Sequence, residues 1–251
     1  MFPVLDPYAP TTTINQCIVS CKMNNLKVNL QNVRSRLESA CLSAGRKPSE
    51  VKILAVSKQH PAVKIREFHQ LGQQAFGENY VQEALAKQKQ LTDLNIEWHF
   101  IGPLQSNKTR EVAQHFQWVQ SVDRIKILKR LSSQRPASFP ELNVCIQVNI
   151  DKEEQKSGIM PEQLQELVKD AFSMENIRLR GLMAIPRPAA ADHDPSDSYR
   201  RMSELFQSLN ASGMALDTLS MGMSADLEEA ILHGSTMIRI GTDLLGPRPQ
   251  V

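Results

Sequence analysis

The sequence predicts an α/β fold: a single (β/α)8 TIM-like barrel with an extra N-terminal helix. Three observations predict it. Short apolar runs rich in β-branched residues recur eight times along the chain, as strands buried on both faces do in parallel sheets. Stretches with apolar residues three and four apart separate them, and one more such stretch precedes the first. No G-x-G-x-x-G follows a strand and no Walker sequence is present, so no motif favours a doubly wound open sheet.

Leu26, Leu30, Val33, Leu37, Ala40 and Cys41 mark the leading helix, which Gly45 and Pro48 close. That helix could fill the place of a missing eighth. VKILAVSK, residues 51–58, is the first strand, and Pro61 opens the helix after it. Further strands are expected at 74–77, 96–101, 118–122, 142–150, 179–185, 218–221 and 237–240. Helices are expected to about Leu91, over 105–116 and 123–133, from Pro161, up to about Leu209, and over 224–233. Residues 1–24 hold three prolines and a threonine cluster without helical period, so they read as a flexible N-terminal extension. Residues 25–251 read as one barrel domain.

Composition narrows the function. Hydrophobic content of 41% and charged content of 22% fit a globular chain rather than a disordered one. A net charge of +2 gives no bulk attraction to nucleic acid or membrane, and no apolar run approaches the ~18 residues of a membrane span. No basic segment precedes the short apolar Cys17-Ile18-Val19, so no signal peptide is expected. Of four cysteines only Cys17 and Cys21 are close, which argues against a zinc site or disulfide framework and for reduced thiols in the cytoplasm. No metal site is expected.

Lys58 ends the first strand, where barrels place their chemistry. Shielded from water, a lysine has a lowered pKa and can form a Schiff base with an aldehyde; a solvated strand-end lysine is the plain alternative. After the seventh strand, Ser224 is expected to cap the next helix and offer its hydroxyl beside free amides. After the eighth, Gly241 allows close approach and Thr242 adds a hydroxyl. Loops at these two positions commonly hold phosphate in barrels. Asp226 must then point outward, complementing the helix dipole. A lysine aldehyde trap beside a phosphate cradle is what pyridoxal 5′-phosphate (PLP) needs.

Seven segments carry a resemblance: ILAVSK (53–58), FGENYVQEA (76–84), WHFIGPLQSNK (98–108), VNI…KSG (148–158), RGLMAIP (180–186), LSMGMSADLEEAI (219–231) and IRIGT (238–242). In this order they resemble the pyridoxal phosphate homeostasis protein family, over about residues 25–248. The resemblance implies an alanine racemase-like, fold-type III PLP barrel with no C-terminal β domain and the cofactor covalently on Lys58. Ser224, Gly241 and Thr242 would hold the phosphate, and Met223 joins the cofactor-binding set. Arg239 would face the pyridine nitrogen; a permanently charged arginine there disfavours ring protonation and makes a weaker electron sink. Asn79 is either a partner for a cofactor oxygen or a turn-forming residue. Met183 either packs on the ring face or belongs to the core. His99 reads as a core histidine, Lys156 as a lysine near the barrel mouth, and Lys108 and His60 as weaker candidates.

The resemblance implies a PLP carrier without established turnover. The chain ends at Val251, soon after Thr242, and no second acid or base is evident to complement Lys58. Expected partners are PLP and apo forms of PLP-dependent enzymes, with the protein a monomer. The alternative is a slow amino-acid racemase using Lys58 as base.

Overall fold

Eight parallel strands close on themselves in chain order. They are β1 (Lys52–Val56), β2 (Ala75–Glu78), β3 (Glu97–Phe100), β4 (Trp118–Val122), β5 (Leu142–Gln147), β6 (Ile177–Met183), β7 (Thr218–Ser220) and β8 (Met237–Ile240). β8 pairs with β1, Leu54 beside Arg239 and Ala55 beside Ile240, which closes the barrel. The computed structural model describes residues 11–190 and 194–248.

Helices α1 (Thr11–Ser43), α2 (Ala62–Gln70), α3 (Val81–Gln90), α4 (Thr109–His115) and α5 (Ile125–Gln134) lead into α6 (Leu164–Phe172) and α7 (Pro195–Ala211). The short α8 (Leu227–Leu232) and α9 (Thr242–Leu245) follow. α1 buries Leu26, Leu30, Val33, Leu37 and Cys41, the stripe expected from their spacing, and packs against α8 and α9. Arg36 ties the three together, donating to Glu228 Oε1 and Asp243 Oδ2 at 2.7 Å each. The leading helix thus takes the expected place in the outer ring, beside the β8–β1 seam.

Two boundaries differ from expectation. α1 begins at Thr11 rather than Leu26, because no glycine or proline interrupts residues 11–44. Part of the expected flexible extension is therefore helical, and residues 1–10 lie outside the described residues. β5 stops at Gln147 instead of running to Ile150. Beyond it Val148 bridges Ile159, and loop 151–158 folds back to Gly158, whose φ of 124° and contact with the Asn149 amide admit only glycine.

The main core lies between barrel and helices. Phe68 on α2, Phe76 on β2 and Leu131 on α5 are fully buried there, each worth roughly 1.5–3 kcal/mol relative to exposure. Along the inner face of the strands, alternation stacks residues in layers. Leu54 packs with Ala75, Met237 and Ile101, and two residues further along β1 and its end come Val56 and Lys58, which border open space. Cys41 and Cys145 are buried free thiols; burial pushes Cys145 up to about 12, which suits inert packing. The Cys17–Cys21 pair falls outside the described side chains. Among the described residues no helix is long and apolar enough to cross a membrane.

Candidate functional site

A cavity of about 280 Å³ opens at the C-terminal ends of the strands, near the small end of the ~300–1,000 Å³ usual for ligand pockets. The β1 end contributes Val56, Lys58 and His60, and β2 and β3 contribute Asn79 and Ile101. The loop after β7 brings Met223, Ser224 and Ala225, while β8 and its end bring Arg239, Gly241 and Thr242. Barrel closure is what joins them: a Cβ on Gly241 would lie 3.7 Å from Val56 Cβ, in ordinary contact. Nothing in the folded chain itself demands glycine at that point, so close approach of a ligand is a sufficient reason for it.

Lys58 is half-buried at this wall. Burial, then the charges of Arg248 and Arg239, lower its pKa against an opposing pull from Glu78. Its backbone is clamped from the neighbouring elements. Ser57 Oγ donates to Glu78 Oε1 at 2.6 Å, Lys87 Nζ donates to the same oxygen and to Ser57 O at 2.7 Å each, and Glu83 accepts from the Gln59 amide. Gln59 itself sits at φ 64°, a left-handed conformation uncommon for a non-glycine residue. The strain falls in the turn that aims Lys58.

Ser224 differs from expectation. α8 is capped by Asp226, and Ser224 lies ahead of it in a turn closed by Asp226 N–H donating to Met223 O. Asp226 does not point outward. Its carboxylate accepts the Met223 amide at 2.6 Å, which shapes the turn, and its charge acts on the buried Arg239. The amides of Ser224, Ala225 and Gly241 have no hydrogen-bond partner among the described residues. The first-turn amides of α9, which begins at Thr242, add further donors. The two loops therefore line the cavity with unused N–H groups and two hydroxyls, a donor set suited to a phosphate.

Arg239 is 4% exposed. It donates to Ser220 Oγ at 2.9 Å and to Ala184 O at 2.7 Å, and burial lowers its pKa to about 10, so it stays charged. Asn79 Oδ1 is buried without a partner among the described residues, an acceptor left open at the cavity wall. Met183 does not line the cavity. It is fully buried with Trp118 and Cys145, one layer below, because alternation along β6 carries the wall position two residues further, to Ile185. Lys156 Nζ lies 3.3 Å from Ile185 O and pairs with Glu153, just outside the wall. Lys108 pairs with Glu111 away from the cavity, and His99 is fully buried.

The sequence pattern gives His60 little weight and Arg248 none, yet both line the cavity. His60 is 4% exposed, its Nδ1 lacks a partner among the described residues, and burial lowers its pKa to about 4. The Lys87 clamp was overlooked too. Its signal was present as a lysine on the buried stripe Val81, Ala84, Lys87 of α3.

The chain matches the alanine racemase N-terminal domain family over residues 24–249. It is 54% identical over 226 residues to the pyridoxal phosphate homeostasis protein of Pseudomonas aeruginosa, covering 90% of this chain and 97% of that one. The protein of the same name from Escherichia coli K12 is 48% identical over 229 residues, covering 90% and 98%. Among solved structures, PipY of Synechococcus elongatus with PLP bound is similar at a TM-score of 0.71 and 37% identity, covering 85% of this chain and all of that one.

Proposed function

The chain belongs to the pyridoxal phosphate homeostasis protein family, and from that premise we propose that it binds PLP in the strand-end cavity as a Schiff base of Lys58. One observation carries the reading: a single cavity joins a lysine of lowered pKa to two loops of unused amides and hydroxyls. The bound cofactor supplies an aldehyde carbon and an electron-withdrawing ring. Lys58 Nζ, its pKa lowered and so neutral in a larger fraction than a solvated lysine, would present the amine that holds such an aldehyde as a Schiff base. Ser224, Ala225, Gly241 and Thr242 hold the phosphate, and Asn79 takes a donor from the ligand. Met223 packs beside the phosphate loop. Arg239 would present a fixed positive charge to the ring nitrogen and disfavour its protonation.

In this reading the protein is a cytoplasmic monomer that keeps PLP reversibly and exchanges it with apo forms of PLP-dependent enzymes. The racemase alternative finds no support. Racemisation needs a second proton-carrying group across from Lys58, and His60, which lines the same cavity, belongs to the same strand end.

Borohydride reduction of the PLP-loaded protein, followed by peptide mapping, tests the assignment. The expected adduct lies on Lys58 and vanishes in Lys58→Ala. The same adduct on Lys58→Ala protein would overturn it.

A further inference from the structure

A line of buried polar side chains crosses the inside of the barrel. Arg239 Nη1 lies 2.9 Å from Ser220 Oγ. Ser220 Oγ lies 2.7 Å from Gln120 Oε1, Gln120 Nε2 lies 2.9 Å from His99 Nδ1, and His99 Nε2 lies 2.5 Å from Glu97 Oε1. Arg239, Ser220, Gln120 and His99 are each buried. Glu97 opens β3 at the opposite end of the barrel, where Lys52 Nζ also reaches it at 2.5 Å.

The chemistry of these groups permits one direction. A guanidinium only donates, so Ser220 Oγ accepts from Arg239; the Glu97 carboxylate only accepts, so a neutral His99 keeps its one ring proton on Nε2 and must accept at Nδ1 from the Gln120 amide, which leaves the Gln120 carbonyl to take the Ser220 O–H. Gln120 therefore turns its carbonyl to Ser220 and its amide nitrogen to His99. Met237 Sδ, 3.1 Å from that nitrogen, is an acceptor for its second hydrogen. The Nε2–H tautomer of His99, donating to Glu97, is thus the one compatible with both ends of the line. His99 stacks on Trp118, with ring centroids 5.0 Å apart and planes 9° apart, and the Arg180 guanidinium covers Trp118 at 4.8 Å from its ring centroid. That stack fixes the imidazole plane.

We propose that this one-way chain orients Arg239, making Ser220, Gln120, His99 and the distant Glu97 positioning residues for the group that faces the arginine in the cavity. Each bond hands polarisation to the next, from a cation at the cavity floor to a carboxylate at the far rim. The line thus adds a remote carboxylate to the nearby charge of Asp226 that already acts on Arg239. The part concerning the cofactor rests on the PLP reading; the tautomer and the direction of the chain do not.

The test has two arms. In the cofactor-free protein, nitrogen NMR of His99 should show the Nε2–H tautomer at neutral pH, and an Nδ1–H tautomer overturns the chain. In the PLP-loaded protein, Gln120→Leu should shift the absorbance maximum of the bound cofactor and weaken binding about tenfold, the order of one hydrogen bond lost from the line behind Arg239. Glu97→Gln, remote from the cavity, should shift the same maximum in the same direction without removing any cavity residue. A wild-type protein that binds no PLP rejects the cofactor reading and leaves the NMR arm to decide the chain. A wild type that binds PLP, with both variants keeping its spectrum, rejects the positioning role.

Discussion

Lys87 Nζ donates a 2.7 Å hydrogen bond to the backbone carbonyl of Ser57, the residue immediately before Lys58. The same ammonium meets Glu78, whose carboxyl burial pushes above its usual range and Lys87 pulls back. Removing one partner of a buried pair leaves the other uncompensated, at about 3–5 kcal/mol. Lys87→Met should therefore lower the unfolding free energy by about that much in urea titrations and also loosen PLP. Adding Glu78→Gln to Lys87→Met should restore much of the stability. Simple additivity of the two losses would show that the groups act independently.

This clamp also marks how far the sequence could be read. The strands, the leading helix and the grouping of Lys58, Ser224, Arg239, Gly241 and Thr242 follow from periodicity and chain order, because barrel closure brings strand eight beside strand one whatever the side chains. What depends on side-chain reach does not follow. Met183 and Ile185 have the same strand phase, and only the layer occupied by Trp118 and Cys145 places one in the core and the other in the wall. Ser224 satisfies every cap preference, yet the Asp226 carboxylate folds back on the Met223 amide and moves the helix start. His60 and Glu97 lie far apart in sequence from Arg248 and Arg239, so no local pattern could relate them.

Ser224 provides a hydroxyl at a loop whose amides have no partner among the described residues. A hydrogen bond to a charged phosphate is worth about 1.5–3 kcal/mol. Ser224→Ala should weaken PLP binding by roughly ten- to a hundredfold in equilibrium titrations, while the urea midpoint of the cofactor-free protein stays close to that of the wild type. Unchanged affinity would remove Ser224 from the phosphate set.

Gly102 has a steric reason to be glycine. A Cβ there would come 2.2 Å from the carbonyl oxygen of Asn79 and 2.7 Å from its Cα. Backbone cannot swing aside as a side-chain tip can. Gly102→Ala should cost roughly 1–3 kcal/mol of stability as an overpacked site, and it should also weaken PLP binding, because the strain falls on Asn79 at the cavity wall. Loss of stability with wild-type affinity would show that Asn79 takes no part in binding.

His60 and His99 fix how stability should depend on pH. Burial lowers both to about 4, against about 6.5 in an unfolded chain. Between those values the unfolded state binds more protons than the folded one, so stability must fall as the solution is acidified. Each histidine contributes a slope of up to about 1.4 kcal/mol per pH unit from pH 6.5 down to about 4. Glu97, held at about 2 by His99 and Lys52 against the cost of burial, acts in the same direction at lower pH: its contribution is complete above about 4.5 and disappears as the carboxylate is protonated on the way to 2. Urea unfolding at pH 7, 6 and 5 should show a falling free energy throughout, and His60→Gln should remove about half of the slope contributed by the two histidines. His60 is the better one to replace, since its Nδ1 has no protein partner to lose, whereas His99 joins two hydrogen bonds inside the barrel. A flat profile between pH 7 and 5 would mean that both rings reach solvent on protonation, which their burial in the folded chain opposes.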